Sequence, residues 1–138
     1  MKSYTDLSQG KKLAEILPIE SADMFCADVL DMDRTHSYNF HILSTWGCNT
    51  FEELKDRENK FVHFTPCWSL AALLNVLPKK YYPIKDHETV LILGKPKDKW
   101  CVLYWDATGM QDGEETLGDN LIDACVDMIL KLKERNLI

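Results

Sequence analysis

The stretch that decides the fold class is Thr89-Val-Leu-Ile-Leu-Gly-Lys-Pro-Lys-Asp-Lys-Trp-Cys-Val-Leu-Tyr-Trp-Asp106. Its two halves, Thr89 to Gly94 and Trp100 to Asp106, are rich in the β-branched and aromatic residues that favour strands. The five residues between them, Lys95 to Lys99, include a proline and suit a hairpin loop. The pattern therefore predicts a β-hairpin, whose two strands pair antiparallel.

The second strand of this hairpin has no polar face. Because side chains alternate along a strand, its residues divide into one set of Trp100, Val102 and Tyr104 and another of Cys101, Leu103 and Trp105. Exposed apolar surface is unfavourable in water, so we expect both faces to be at least partly covered. Helices of the same chain are the expected cover for one face. For the other face the pattern leaves open a partner, a ligand or the rest of the fold.

The strongly apolar segment Cys67 to Leu77 predicts a central helix. Thr65 is a suitable N-cap, and Pro66 suits the first helical position because its missing N–H has no partner there. Within the segment only Ser69 and Asn75 are polar. A helix that is apolar nearly all round is expected to be covered on several sides.

Three further segments have helical patterns. Ser8 to Leu17 predicts a short amphipathic helix at the N-terminal end of the sequence. The last helix is expected from Leu117 or Gly118 to about Asn136, with acids in its first turns and bases in its last, as the helix dipole favours. Thr50 to Lys55 carries a capping-box pattern and predicts one helical turn.

The segment Ser21 to Asp33 is compatible with two structures. Its apolar residues fit helical spacing. The same segment can pair as a strand with Tyr38 to Leu43, which alternates and is rich in strand formers. The polar run Asp31 to His36 then forms the turn. We favour the hairpin.

These elements together predict an α+β fold in a single globular domain over residues 1–138. A small antiparallel sheet is built from the two β-hairpins. The central apolar helix and the N- and C-terminal helices pack on it. The loop Ala107 to Glu115 is expected to be exposed to solvent.

Charge and hydropathy argue against two classes of partner. The chain has 16 basic and 22 acidic residues, a net charge of −6, which disfavours a general electrostatic grip on nucleic acid. The longest uncharged stretch, Phe61 to Pro78, is interrupted by polar residues and proline, so a buried helix explains it better than a membrane span. No signal-peptide pattern precedes it. We therefore expect a cytoplasmic protein with no membrane partner.

Cysteines and histidines suggest two chemistries. The residues His36, His41, Cys48, His63 and Cys67 are of the types that bind zinc. The close Cys-x2-Cys pairs of zinc ribbons are missing, so this is a weak signal. Alternatively, Cys67 lies in the first turn of the predicted helix, where the dipole favours a thiolate, and His63 or His87 is available as a base. The odd count of five cysteines argues against a disulfide framework.

A candidate surface for a partner or ligand follows from the aromatic residues. Tyr81 and Tyr82 lie in a connection and form the expected exposed aromatic cluster, and Trp100 begins the second strand of the hairpin. Asp106 ends that strand before a loop that contains glycine, a place where functional residues are often found. No residue is assigned a catalytic, cofactor-binding or metal-binding role.

Three stretches carry a resemblance to known sequences. They are Ile16-Leu-Pro-Ile-Glu-Ser-Ala-Asp-Met24, Pro66-Cys-Trp-Ser-Leu-Ala-Ala-Leu-Leu-Asn-Val-Leu-Pro78 and Leu121-Ile-Asp-Ala-Cys-Val-Asp-Met128. In that order the chain resembles a group of small uncharacterised proteins encoded in phages, prophages and other mobile elements of gut bacteria. The resemblance implies a small intracellular accessory protein and brings no assigned activity.

The residues favour a non-enzymatic binding protein that needs no cofactor, and the resemblance implies that it is an accessory protein. Its partner is an unknown protein or small ligand, and it is expected as a monomer or small homo-oligomer. Two alternatives remain open at this point. One is a thiol-dependent enzyme that uses Cys67, and the other is a structural zinc-binding protein.

Overall fold

A computed structural model describes residues 2–30, 37–43, 56, 58, 62–79, 89–106 and 113–138. In chain order its elements are α1 (Leu7–Ala14), a 3-10 turn (Ile19–Ser21), β1 (Met24–Leu30), β2 (Ser37–Leu43), β3 (Val62–Cys67), α2 (Leu70–Val76), β4 (Thr89–Gly94), β5 (Trp100–Asp106), β6 (Glu115–Gly118) and α3 (Leu121–Glu134). They comprise three α-helices and two antiparallel sheets, so the predicted α+β class is confirmed.

These elements form two compact units. Residues 4–72 make up what we call the N-terminal unit, and residues 1–3 together with 73–138 make up the C-terminal unit. The two predicted hairpins do not share one sheet. Each is widened by a third strand into a sheet of its own, in the order β2-β1-β3 in the N-terminal unit and β4-β5-β6 in the C-terminal unit. The organisation as one domain over 1–138 stays a prediction.

The segment Ser21 to Asp33, whose sequence is compatible with a helix or a strand, contributes a strand to the N-terminal sheet. Met24–Leu30 is a strand that pairs with Ser37–Leu43, so the favoured hairpin is confirmed. It also pairs on its other side with Val62–Cys67. Pairing on both sides outweighs the helical spacing, because strand formation depends on cross-strand neighbours more than on intrinsic preference. The predicted turn, 31–36, and the predicted helical turn at 50–55 lie outside the described residues.

The start of the central helix differs from the prediction. Thr65 and Pro66 belong to strand β3, and the helix begins only at Leu70. The backbone N–H of Ala72 donates to Ser69 Oγ at 3.2 Å, so Ser69 caps the helix instead of Thr65. Proline has no N–H for a sheet ladder, and β3 accommodates it because it lies at the edge of its sheet.

Helix α1 packs closely on β3. A capping box begins it, since Asp6 Oδ1 accepts from Gln9 N–H at 2.9 Å and Gln9 Oε1 accepts from Asp6 N–H at 3.1 Å. Gly10 faces the strand, and a Cβ atom there would lie 2.5 Å from the carbonyl oxygen of Pro66. The helix backbone therefore approaches the strand backbone more closely than any residue with a side chain allows.

The first and last segments of the N-terminal unit are joined to each other. Tyr4 forms an isolated antiparallel bridge with Ser69. The N–H of Thr5 donates to the Trp68 carbonyl at 2.9 Å, and the N–H of Trp68 donates to Thr5 Oγ1 at 3.0 Å. Ser69 also donates through its hydroxyl to Asp23 Oδ2 at 2.5 Å. Buried backbone groups near Trp68 thereby find partners far away in sequence.

The C-terminal unit confirms the hairpin over Thr89–Gly94 and Trp100–Asp106, with pairs from Thr89–Asp106 to Gly94–Cys101. The third strand, Glu115–Gly118, occupies residues that were assigned to a loop and to the start of the last helix. That helix begins at Leu121, with Asn120 Oδ1 accepting from Asp123 N–H at 2.9 Å. A four-residue strand with no alternating pattern lacks a sequence signal.

Glu114 was expected to be exposed in a loop, and it is buried, with 8% of its surface accessible. Its carboxylate forms ion pairs with Lys131, at 2.8 Å, and with Arg135. Both cations lie in the last turns of α3 or just after it, so the charges predicted to favour the helix dipole also neutralise this buried acid. The rest of the predicted loop, 107–112, lies outside the described residues.

Helix α3 packs against β5 and β6. Its buried side chains include Ile122, Cys125, Met128, Ile129 and Leu132. Thr116 Oγ1 donates to the Ala124 carbonyl at 2.7 Å and fixes the helix to the outer strand. No helix in the described part of the chain is long and apolar enough to cross a membrane.

Candidate functional site

The pairing of β4, β5 and β6 divides the C-terminal sheet into two faces. One face, which we call the covered face, carries Thr89, Val102 and Tyr104, all without accessible surface. The Tyr104 hydroxyl donates to the Pro78 carbonyl at 2.6 Å, and burial raises the pKa of this phenol above its ordinary value. Because α3 packs against β5 and β6, this face belongs to the core of the unit.

The opposite face is largely apolar, and several of its side chains are exposed, while Cys101 on this face is buried. We call it the open face and define it by Val90, Ile92, Leu103, Trp105 and Leu117. The accessible fractions are 46% for Val90, 40% for Ile92, 48% for Trp105 and 52% for Leu117, and Leu103 is half-buried. The sequence predicted partial cover for both faces of β5. The face that carries Leu103 and Trp105 is less covered than the face that carries Val102 and Tyr104.

The register makes the open face contiguous. Val90 pairs with Trp105, and Ile92 pairs with Leu103 on the neighbouring strand. Directly opposed residues on one face of an antiparallel pair lie within about 4.5–5.5 Å of each other. Leu117 extends the face onto β6, opposite Cys101. Soluble monomers rarely expose large contiguous apolar patches, and the largest, roughly 300–600 Å², are often functional.

A carboxylate lies within the open face. Glu115 on β6 is exposed and pairs with Leu103 in register. Its Oε1 accepts from Cys101 Sγ at 3.3 Å. Among the described residues its carboxylate has no ion pair. Lys99 pairs with Asp119, and Lys131 pairs with Glu114 while it donates to the backbone carbonyl of Glu115 at 3.2 Å. The open face therefore carries a negative charge among apolar side chains.

The candidate surface named from the sequence is only partly within the described residues. Trp100 begins β5 on the same side as Val102 and is half-buried, with Lys95 Nζ 5.5 Å from its ring centroid. Asp106 lies at the other end of β5, opposite Thr89, and its side chain is outside the described set. Tyr81 and Tyr82 are also outside it. The structure does not bring Trp100 and Asp106 together, since they occupy the two ends of one strand.

Four residues of the site went unassigned in the sequence. Val90, Ile92, Leu117 and Glu115 reach the open face through strand register, which the sequence does not display. A signal was present for the first two, since Val90 and Ile92 alternate along a predicted strand. Leu117 and Glu115 had none, because their strand was not predicted.

The thiol hypothesis meets a different environment at Cys67. This residue ends strand β3, so the favourable helix dipole assumed from the sequence is absent. Cys67 has no accessible surface, and burial, reinforced by the neighbouring Cys26 thiol, raises the pKa of its thiol to about 12. Among the described residues its hydrogen-bonding neighbours are Thr5, Thr65 and Cys26, and none is a histidine. A thiol with these properties is a poor nucleophile.

Cys67 and Cys125 are expected to resist alkylation in the folded chain at pH 8. Burial raises the pKa of both thiols from 9.0 to about 12, so the folded state holds almost no thiolate. Because the unfolded chain releases these protons at lower pH, stability should fall as pH rises from about 9 towards 12. Site-resolved mass spectrometry after iodoacetamide treatment checks this, with the unfolded chain as the control. Equal labelling of Cys67 in both states contradicts it.

The described residues do not test the zinc hypothesis fully, so it stays a prediction. Within the part of the chain that the structure describes, no group of three or more histidine, cysteine, aspartate or glutamate side chains is placed to hold a metal ion. His36 and Cys48 lie outside it, as does the side chain of His41. Only His63, which is exposed, and Cys67 are described from the original set.

Comparisons of the chain with protein-family models, with curated proteins and with solved structures find no match.

Proposed function

We propose that the chain is a non-enzymatic binding protein and that the open face is the surface on which a protein partner docks. The observation that carries this proposal is the exposure of a contiguous apolar face that includes Trp105, at 48% accessible surface. Tryptophan is enriched among the residues that dominate binding energy at protein interfaces. On the opposite face of the same sheet Thr89, Val102 and Tyr104 have no accessible surface, so the open face has a packed support.

A protein is a better occupant than a small molecule. Small-molecule sites are concave and enclose most of the ligand's surface. The open face is one side of a three-stranded sheet, and its exposed side chains are spread over all three strands. Such a surface buries apolar area most effectively against another element of protein structure.

We also propose, on the resemblance of three sequence segments, that the protein is an accessory factor of a phage or mobile element, that it acts in the cytoplasm, and that it is a monomer or small homo-oligomer. Thiol catalysis is not proposed, because the burial and raised pKa of Cys67 count against it. Zinc binding is not proposed, because no described cluster supports it.

Photo-crosslinking tests the docking surface. Two variants carry the photo-crosslinking residue benzoylphenylalanine, one in place of Ile92 on the open face and one in place of Glu134, an exposed position on α3. Each variant is expressed and irradiated in cells of the natural host. We expect a discrete protein adduct from Ile92 and none from Glu134. The additional substitution Trp105→Ala should reduce the Ile92 adduct about tenfold, which corresponds to roughly 1.4 kcal/mol of binding free energy.

Adducts that form equally from both positions, or that persist unchanged in the Trp105→Ala chain, contradict the proposal. A thermal unfolding curve of each variant serves as the control for folding. Trp105 is half-exposed, so its loss should disturb the fold far less than the loss of a buried tryptophan.

A further inference from the structure

We propose that the segment that docks on the open face is a basic amphipathic helix of another protein, with its apolar stripe on the sheet and a lysine or arginine side chain against Glu115. This inference rests on the proposed function and names the chemistry of the partner. Three observations carry it: the small size of the open face, the way the covered face is packed, and the charge of Glu115.

The size of the open face fits a single element of structure. Stable interfaces between folded proteins use about 20–30 residues on each side and bury about 800 Å² per partner. The open face offers five apolar side chains. Five apolar side chains on each copy are few for an interface of that size, which argues against a stable dimer through this face alone. Each copy also carries a net charge of −6, which adds repulsion.

The covered face of the same sheet indicates which kind of element fits. There, α3 packs against β5 and β6, and its buried side chains include Ile122, Cys125, Ile129 and Leu132. The open face has the same strands and the same spacing between them. A second helix with apolar residues at i, i+3, i+4 and i+7 would complete a layer on that side in the manner of helix recognition elsewhere.

The charge of Glu115 determines the partner's charge. An element that covers Leu103 and Leu117 also removes water from Glu115, which is directly opposite Leu103 and two residues before Leu117 on the same face. A carboxylate that loses water without gaining a cation or hydrogen bonds costs several kcal/mol. The described cations near it have other partners, since Lys99 pairs with Asp119 and Lys131 with Glu114. A lysine or arginine on the docking element compensates this loss best, because it supplies both a positive charge and hydrogen-bond donors.

Two synthetic helices test the inference. Both have about 18 residues, because isolated helices shorter than ~12–15 residues are marginal. They share one leucine stripe, and their flanking residues are lysine in one and glutamate in the other. We expect the wild-type chain to bind the lysine helix about tenfold more tightly than the glutamate helix in calorimetry at physiological salt.

Charge reversal provides the decisive comparison. Glu115→Lys should weaken binding of the lysine helix about tenfold and strengthen binding of the glutamate helix. Glu134→Lys makes the same change in net charge on the exposed surface of α3, away from the open face, and should change either affinity less than twofold. Trp105→Ala should weaken binding of both helices about tenfold.

The outcomes separate this inference from the proposed function. Suppose that Trp105→Ala weakens binding of both helices while Glu115→Lys changes the affinities no more than Glu134→Lys does. The open face is then a docking surface, and the inference of a basic partner is wrong. If Trp105→Ala changes neither affinity, the open face is not a docking surface and both proposals fail. A dimer in sedimentation velocity that Trp105→Ala dissociates makes a second copy the occupant and overturns the basic helix.

Discussion

Replacing Trp68 with alanine is expected to lower the free energy of unfolding by about 3–5 kcal/mol, the usual cost of deleting a buried aromatic side chain. Trp68 has no accessible surface. Its indole Nε1–H donates to Ser21 Oγ at 2.9 Å, and its backbone exchanges hydrogen bonds with Thr5. The substitution therefore leaves a cavity and removes the donor to Ser21 Oγ, which keeps its own hydrogen bond to the Pro18 carbonyl. Urea denaturation monitored by circular dichroism gives the change in free energy.

Two further variants make this result interpretable. Trp68→Phe retains a large aromatic ring and loses the indole N–H, so it should cost less than the alanine variant. Trp105→Ala removes the same side chain from a half-exposed position and should also cost less. If Trp68→Ala costs no more than Trp105→Ala, the assignment of Trp68 to the core of the N-terminal unit is wrong.

Replacing Gly10 with alanine is expected to destabilise the chain by about 1–3 kcal/mol, although alanine is the better helix former. Helix propensity alone predicts a gain of about 1 kcal/mol inside a helix. At Gly10 the added methyl group would lie 2.5 Å from the Pro66 carbonyl oxygen, which is backbone and moves only with its strand. The clash should outweigh the propensity. The sign of the change in urea midpoint decides between the two effects.

Gly94→Ala is the matched control for this substitution. A Cβ atom at Gly94 meets Pro96 Cδ at 4.0 Å, an ordinary van der Waals distance. Its substitution should therefore change stability by about 0.5 kcal/mol or less. A stabilised Gly10→Ala chain contradicts the close approach of α1 and β3.

The strands that the sequence predicted well are those whose signal is local. The hairpin over Thr89–Gly94 and Trp100–Asp106 was predicted with its observed bounds, because strand formers flank a short polar loop. The helix start predicted at Thr65 and Pro66 was wrong because the deciding interaction is not local. They carry good local signals for a helix start, and they form a strand because β1, which is distant in sequence, pairs with them. Such long-range pairing is absent from local patterns.

The open face was predictable only in outline. The sequence indicated that β5 is apolar on both sides, and the structure confirms that Val102 and Tyr104 are buried on one of them. Which side stays open depends on where α3 packs, and that follows from tertiary contacts. The position of Glu115 beside Leu103 depends on a strand that the sequence did not reveal.

The first and last segments of the N-terminal unit lie next to each other. Residues 1–3 belong to the C-terminal unit, where Lys2 Nζ lies 2.8 Å from Asp123 Oδ1. The N-terminal unit then begins at Tyr4 and returns beside it at Ser69. The two ends of this unit therefore adjoin. A unit with adjoining ends is of the kind that tolerates circular permutation and insertion into another chain.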